Sequence, residues 1–228
     1  MTLAQSEPKK IYIRVDEPPF TPWANTIAYY KFDWNLNDSS GNNRNLSIAA
    51  GTFTYGTESW WAKYVYMPKD SYTNNYTSMP YNSASYNISL WAKRVWSIPT
   101  WWIVVDFHNG NNYFPRVVLT ESSIALVVSR TTPFPSGFNT AQWHYYCLSI
   151  SNNSATCYID WAYYWTGALN SYNNNLPYFR INTAWYAGDY PYQSRDGNLS
   201  ELIIENAPRT AQEISDYYNA TKADYWIS

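Results

Sequence analysis

Glu201 and Glu205, in the run from Asp196 to Asn206 (DGNLSELIIEN), stand four residues apart in what reads as a strand. Side chains alternate across a strand, so this spacing puts both carboxyls on one face. Two carboxyls on one face could cleave a glycosidic bond, where an acid and a base or nucleophile must flank the scissile link. Glu205 reads more simply as a solvent-facing residue at the strand's end, which makes hydrolysis the second choice of function. A different chemistry is written into Asn37 to Asn43 (NDSSGNN), whose carboxylate, amide and backbone oxygens crowd one tight turn and suit Ca²⁺. Asp38 could equally brace that turn by bonding its own backbone.

The other reactive side chains support less. His108 and His144 are the only histidines, too few for a histidine-rich metal site. Cys147 and Cys157 lie symmetrically about Asn152, either facing each other within reach of a disulfide or standing as two separate buried thiols. No G-x-S-x-G, phosphate-binding glycine loop or C-x-x-C pattern occurs, so nucleophilic hydrolysis, nucleotide binding and structural zinc have no support. A net charge of -2 offers no footprint for nucleic acid or an anionic membrane. No run of 18 apolar residues is present to form a membrane-spanning helix. The opening MTLAQSEPKK lacks the apolar segment of a secretory leader.

Strands must position these residues. Only 14% of the 228 residues are charged while 20% are aromatic, with 24 Tyr; aromatic and branched residues favour strands, and the Asn, Ser and Pro between them favour turns. Residues 1–23 read as a short strand (Ile11 to Val15) and a proline-rich linker (DEPPFTP, 16–22), and residues 24–228 as one domain. Within the domain, strands are expected at 64–66, 86–94, 103–107, 117–119, 124–129, 179–181 and 196–206. His144 to Ile150, Thr156 to Ile159 and Ala162 to Tyr164 read as a three-stranded meander with polar turns. One helix is expected from Thr210 to Tyr218, capped by a Thr210/Glu213 box, with Ile214, Tyr217 and Tyr218 on its apolar face.

The meander, WHYYCLSISNNSATCYIDWAYYWTG, resembles the signature hairpin of laminin-G-like jelly rolls in the concanavalin A-like lectin and glucanase superfamily. Trp143, His144, Tyr158, Ile159 and Asp160 fall on the matching positions. The opening of the domain is similar to that family's strand and N-x-N-D-S-S-G-N loop at Phe32, Asp33 and Asn37 to Asn42, Trp91 stands on its strand tryptophan, and Glu201 on the acidic position of its last strand. The resemblance implies an all-β fold, a two-sheet antiparallel β-sandwich of jelly-roll topology with one short C-terminal helix. It further implies a structural calcium held between Asp38 and Glu201, and a packed strand role for His144. The glucanases of the superfamily carry an E-x-D-x-x-E strand that this chain lacks. The function expected is therefore non-catalytic: an extracellular carbohydrate- or glycoprotein-binding adhesion module, part of a larger surface or virion protein, with a glycan or glycoprotein as partner. A structural assembly domain is a further alternative. Loop tyrosines Tyr72, Tyr76, Tyr113, Tyr172, Tyr190 and Tyr192 could stack on sugars, and no one of them is singled out.

Thirteen Trp against eight Gly inverts the usual ratio. Trp34, Trp161 and Trp165 stand where a tight turn wants a residue tolerant of positive φ. Replacing Trp23, Trp34, Trp60, Trp61, Trp96, Trp101, Trp102, Trp161, Trp165, Trp185 and Trp226 by glycine would restore an ordinary glycine content, near the average of about 7%. Such a pattern would arise if the gene reads UGA as glycine where it is translated here as Trp. The rival expectation is that these Trp are exposed platforms for sugar.

Overall fold

The structure is a computed structural model that describes residues 23–58, 62–68, 71–74, 85–95, 102–108, 113–119, 123–126, 130–152, 154–168, 178–182 and 196–225. Fifteen strands are present among them: β1 (Thr26–Tyr30), β2 (Ser47–Ala50), β3 (Thr54–Thr57), β4 (Lys63–Met67), β5 (Tyr72–Asn74), β6 (Ser85–Arg94), β7 (Trp102–His108), β8 (Tyr113–Leu119), β9 (Ser123–Leu126), β10 (Arg130–Pro133), β11 (His144–Ser151), β12 (Ser154–Ile159), β13 (Ala162–Ala168), β14 (Tyr178–Ile181) and β15 (Gly197–Glu205). Helix α1 (Ala211–Thr221) and a 3₁₀ turn (Lys222–Tyr225) follow.

The first sheet runs β13-β12-β11-β6-β15-β4-β3, with β1 also paired to β15. The second runs β10-β9-β8-β7-β14, and β2 pairs with β5 in a separate ribbon. Ile181 of β14 donates its amide to Thr73 Oγ1 of β5, so the ribbon lies against the second sheet's edge. The pairings are antiparallel, for example β11 with β6 and β7 with β8. Ile88, Leu90, Tyr146 and Leu148 of the first sheet meet Phe107, Val117 and Phe179 of the second in one buried core.

β6 and β15 are buried on both faces, because the first sheet's outer side is covered as well. There Trp91, Trp143, Tyr145, Tyr29 and Ile203 receive Ile214, Tyr217, Tyr218 and Tyr225 in a second cluster. Trp91 stacks on Tyr225 at 4.1 Å and on Tyr218 at 5.6 Å, and its indole N–H donates to Thr221. α1 begins where its capping box predicts: Thr210 Oγ1 accepts from the Glu213 amide, and Glu213 accepts from the Thr210 amide. The expected all-β architecture with one short C-terminal helix is thus present, as are the expected strands at 64–66, 86–94 and 179–181 and the meander of β11, β12 and β13.

Several expectations are corrected. The β11–β12 register centres between Asn152 and Asn153, pairing Cys147 with Tyr158 and Leu148 with Cys157. One residue of offset sends neighbouring side chains to opposite faces; Cys147 joins the cluster under α1 and Cys157 the core, and both are free thiols. Glu205 is 3% exposed, not solvent-facing. Trp165 occupies no turn but lies in β13 and is buried in the core, and Trp102 opens β7, fully buried with its N–H donating to Asn182. Trp34 and Trp161, by contrast, do take positive φ, 63° and 67°, and are 58% and 52% exposed. Trp60, Trp61, Trp96, Trp101, Trp185, Trp226 and the strand expected at Ile11 to Val15 lie outside the described residues.

A bulky residue in the left-handed region costs about 1–2 kcal/mol, and glycine at the same φ costs little there but more in the unfolded chain. Trp34→Gly and Trp161→Gly are therefore expected to raise stability by about 0.5–1 kcal/mol each in denaturant melts, whereas Trp102→Gly and Trp165→Gly, which empty core positions, lower it by several kcal/mol. UGG codons at 34, 161 and 165 would end the recoding reading while leaving this order of stabilities unchanged.

Candidate functional site

The β12–β13 connection is where the sequence resemblance is densest. Ile159 pairs with Ala162, which leaves Asp160 and Trp161 as a two-residue turn. Both have positive φ, 48° and 67°, the conformation that matches strand twist in tight hairpins. Asp160 fastens this turn to β11: its amide donates to Tyr145 O at 2.9 Å, and its Oδ1 accepts from Tyr145 N at 2.9 Å. Oδ2 lies 2.6 Å from His144 Nδ1, and His144 Nε2 lies 3.0 Å from Asn139 O. The imidazole stacks on Phe138 at 4.0 Å, and Phe138 on Phe134 at 4.3 Å. Phe134 approaches Tyr164, whose hydroxyl donates to Pro133 O at the end of β10. His144 therefore ties the turn to the segment that crosses from the second sheet to the first.

Past the turn, β13 carries a bulge opposite Cys157 and Tyr158, so that Trp165 faces Cys157 and Tyr163 faces Tyr158, with Tyr164 the extra residue. The bulge lets Trp165 turn into the core while Tyr163 points outward, 63% exposed. Tyr163 and Tyr158 meet nearly edge-on at 6.3 Å, and the Thr156 and Thr166 hydroxyls bond at 3.0 Å along the same pair of strands. The result is an outward-facing patch of Trp161, Tyr163 and Tyr158 flanked by hydroxyls and one carboxylate. Aromatic rings beside hydrogen-bonding groups can stack on an apolar ring face and bond its hydroxyls.

The residues singled out from sequence do not all converge. Asp38 Oδ1 accepts from the Tyr29 and Ser40 amides at 3.0 and 2.9 Å, and Oδ2 from the Arg44 amide at 3.0 Å, so it braces its turn. Glu201 is instead under α1, where Tyr217 donates its hydroxyl at 2.8 Å. Tyr29 touches both, its amide donating to Asp38 and its side chain bonding Glu201, and no cluster of three or more His, Cys, Asp or Glu suited to a metal occurs among the described residues. Tyr72 is a half-buried residue of β5, while Tyr113 and His108 lie in β8 and β7. Tyr76, Tyr172, Tyr190 and Tyr192 fall outside the described residues. Tyr158 and Tyr163 were not singled out, since only the bulged register reveals that they share the outer face.

Glu201 and Glu205 are held by different partners. Glu205 accepts from Asn87 at 2.9 Å and from Arg209, whose guanidinium stacks 3.5 Å from the Trp23 ring. Burial raises its carboxyl above the ordinary range against the pull of Arg209. Glu201 sits on a bulge of β15 with φ of 49°. Burial pushes its carboxyl from 4.5 up to about 7; the Tyr217 hydroxyl opposes this shift and Asp224 adds to it. Tyr217 of α1 and Arg209 at its entrance engage the two carboxyls.

No protein-family model matches the sequence, and no curated protein does either. Solved structures do match. Domain 4 of AbnA, a GH43 extracellular arabinanase from Geobacillus stearothermophilus, in complex with arabinotriose, is 19% identical with a TM-score of 0.63; the match covers 84% of this chain and 97% of that one. The botulinum neurotoxin type G receptor binding domain is 10% identical with a TM-score of 0.63 over 87% of this chain. A botulinum neurotoxin type C structure, described as entering cells through interaction with two ganglioside molecules, is 12% identical with a TM-score of 0.64 over 86% of this chain. The chain spans about half the length of the neurotoxin chains it matches. At these identities the likeness establishes the β-sandwich fold.

The raised Glu201 carboxyl carries a pH signature. Between about 4.5 and about 7 the folded protein holds a proton that the unfolded chain has released, so stability from this group is complete below 4.5 and is lost as pH rises through 7. Melting measured with a chelator present should therefore fall more steeply between pH 5 and 8 in the parent than in Glu201→Gln, a difference of up to a few kcal/mol. Parallel curves would show that Glu201 titrates as an ordinary carboxylate.

Proposed function

We propose that this chain is a non-catalytic carbohydrate-binding module of the laminin-G-like, concanavalin A-like jelly-roll type, acting outside the cell or on a cell or virion surface in recognition of a glycan or glycoprotein. The observation that carries the reading is the exposed Tyr163, paired with Tyr158 and flanked by the Thr156 and Thr166 hydroxyls, on a hairpin that Asp160 and His144 hold rigid. Support comes also from a similarly folded domain described in complex with arabinotriose, and from the burial of the one paired-carboxylate motif under α1. In the bound state a sugar ring would lie against Tyr163, with Tyr158 and Trp161 bounding it and the threonines bonding its hydroxyls.

Titration calorimetry against the glycans that a broad array selects tests this reading. Tyr163→Ala and Tyr158→Ala are expected to weaken binding about tenfold or more while leaving the melting temperature near the parent's, since these side chains are exposed or half-buried. A blank array with calcium present would favour a structural assembly domain.

Calcium belongs to the proposal as a structural ion at Asp38 and Glu201. Three amide donors leave about one of the roughly four acceptor positions of the Asp38 carboxylate for a cation. Calcium is expected to raise the melting temperature by several degrees over chelator, and Asp38→Asn to abolish that rise. Identical melts in calcium and chelator would remove the ion.

A further inference from the structure

We propose that the β12–β13 hairpin selects uncharged sugars and turns away those bearing a carboxylate, such as sialic or uronic acids. This rests on the carbohydrate-binding reading and adds the ligand's charge class. From Thr131 to Phe179 the chain contains no Lys or Arg, and its only acidic residue is Asp160. That stretch supplies the whole site: Phe134 and Phe138, the His144 clamp, and the outward Tyr158, Trp161 and Tyr163.

Recognition of a sugar carboxylate calls for a guanidinium or ammonium group that can meet it with charge-assisted hydrogen bonds. The cations that stack on rings among the described residues lie over aromatics other than Tyr158, Trp161 and Tyr163: Arg209 over Trp23, Lys93 over Trp143, Lys31 over Tyr29 and Lys222 over Tyr218. His144 is held between the Asp160 carboxylate and the Asn139 carbonyl, so its ring nitrogens already face acceptors. The formal charge within the hairpin itself is the Asp160 carboxylate, with its side chain 28% exposed. An incoming sugar carboxylate would meet like charge and lose its hydration without a partner. A neutral ring loses little, because rings and hydroxyls meet its apolar face and its own hydroxyls.

The test is a titration of the full chain with neutral arabinose- and hexose-based oligosaccharides against uronate-containing and sialylated counterparts, at about 50 and about 500 mM salt. Neutral sugars are expected to bind at least about tenfold tighter, with affinity unchanged by salt. Acidic sugars bound equally or better, or affinity that falls as salt rises, would overturn the proposal. Thr166→Lys, an exposed substitution, is expected to improve acidic-sugar binding about tenfold and make it salt-sensitive, while neutral sugars, which lose the Thr166 hydroxyl, bind more weakly. No gain from Thr166→Lys would also count against it, because the ligand would then lie away from the hairpin. If the parent binds neither class, the carbohydrate reading itself fails and this inference falls with it; if acidic sugars win, only the inference falls.

Discussion

β15 is the constraint on which the architecture turns, because two strands must share one of its edges. β6 pairs with it along one side, while the other side is taken by β4 at Gly197 to Leu199 and by β1 from Leu202 to Glu205. A regular strand cannot pass from one partner to the next without a change in register, and the bulge at Glu201 supplies it at a backbone conformation that few side chains take readily. The same bulge aims the Glu201 carboxyl at Tyr217, so the strand handover and the docking of α1 are one feature. Residues 197 to 205 thereby join the interior between the sheets to the aromatic layer outside them.

That outer layer explains why a small amount of helix matters in an otherwise β protein. A sheet covered on one side alternates apolar and polar residues, but β6 and β11 present Trp91, Tyr145 and Cys147 on the side away from the second sheet. α1 covers them with Ile214, Tyr217 and Tyr218, and Arg209 with Glu205, Asn87 and Ser149 forms a buried polar row at the helix entrance. The covering also engages both strand carboxylates with buried partners, while β12 and β13, at one edge of the sheet, present Tyr163 and Trp161 outward.

Much of the fold was legible because its signals are local. The Thr210/Glu213 box and the spacing of Ile214, Tyr217 and Tyr218 located α1, and alternating branched and aromatic residues located β6, β11 and β15. β2, β3, β5 and β10 were not expected, being strands of three or four residues, too short for an alternating pattern to show. The site was less legible. Asp160 and His144 were visible by resemblance, but their clamp and the Tyr158–Tyr163 pair depend on a bulge that no residue type announces.

What the sequence determined by itself was the class of structure and the chemical character of the candidate surface: strand-forming aromatics, turn-forming amides, and a long stretch without basic residues. Those are properties of composition and of neighbours along the chain. Which face each residue occupies was decided only by tertiary pairing, because a shift of one residue in register exchanges the two faces of a strand. That single residue separated Cys147 from Cys157, turned Trp165 inward and left Tyr163 outward.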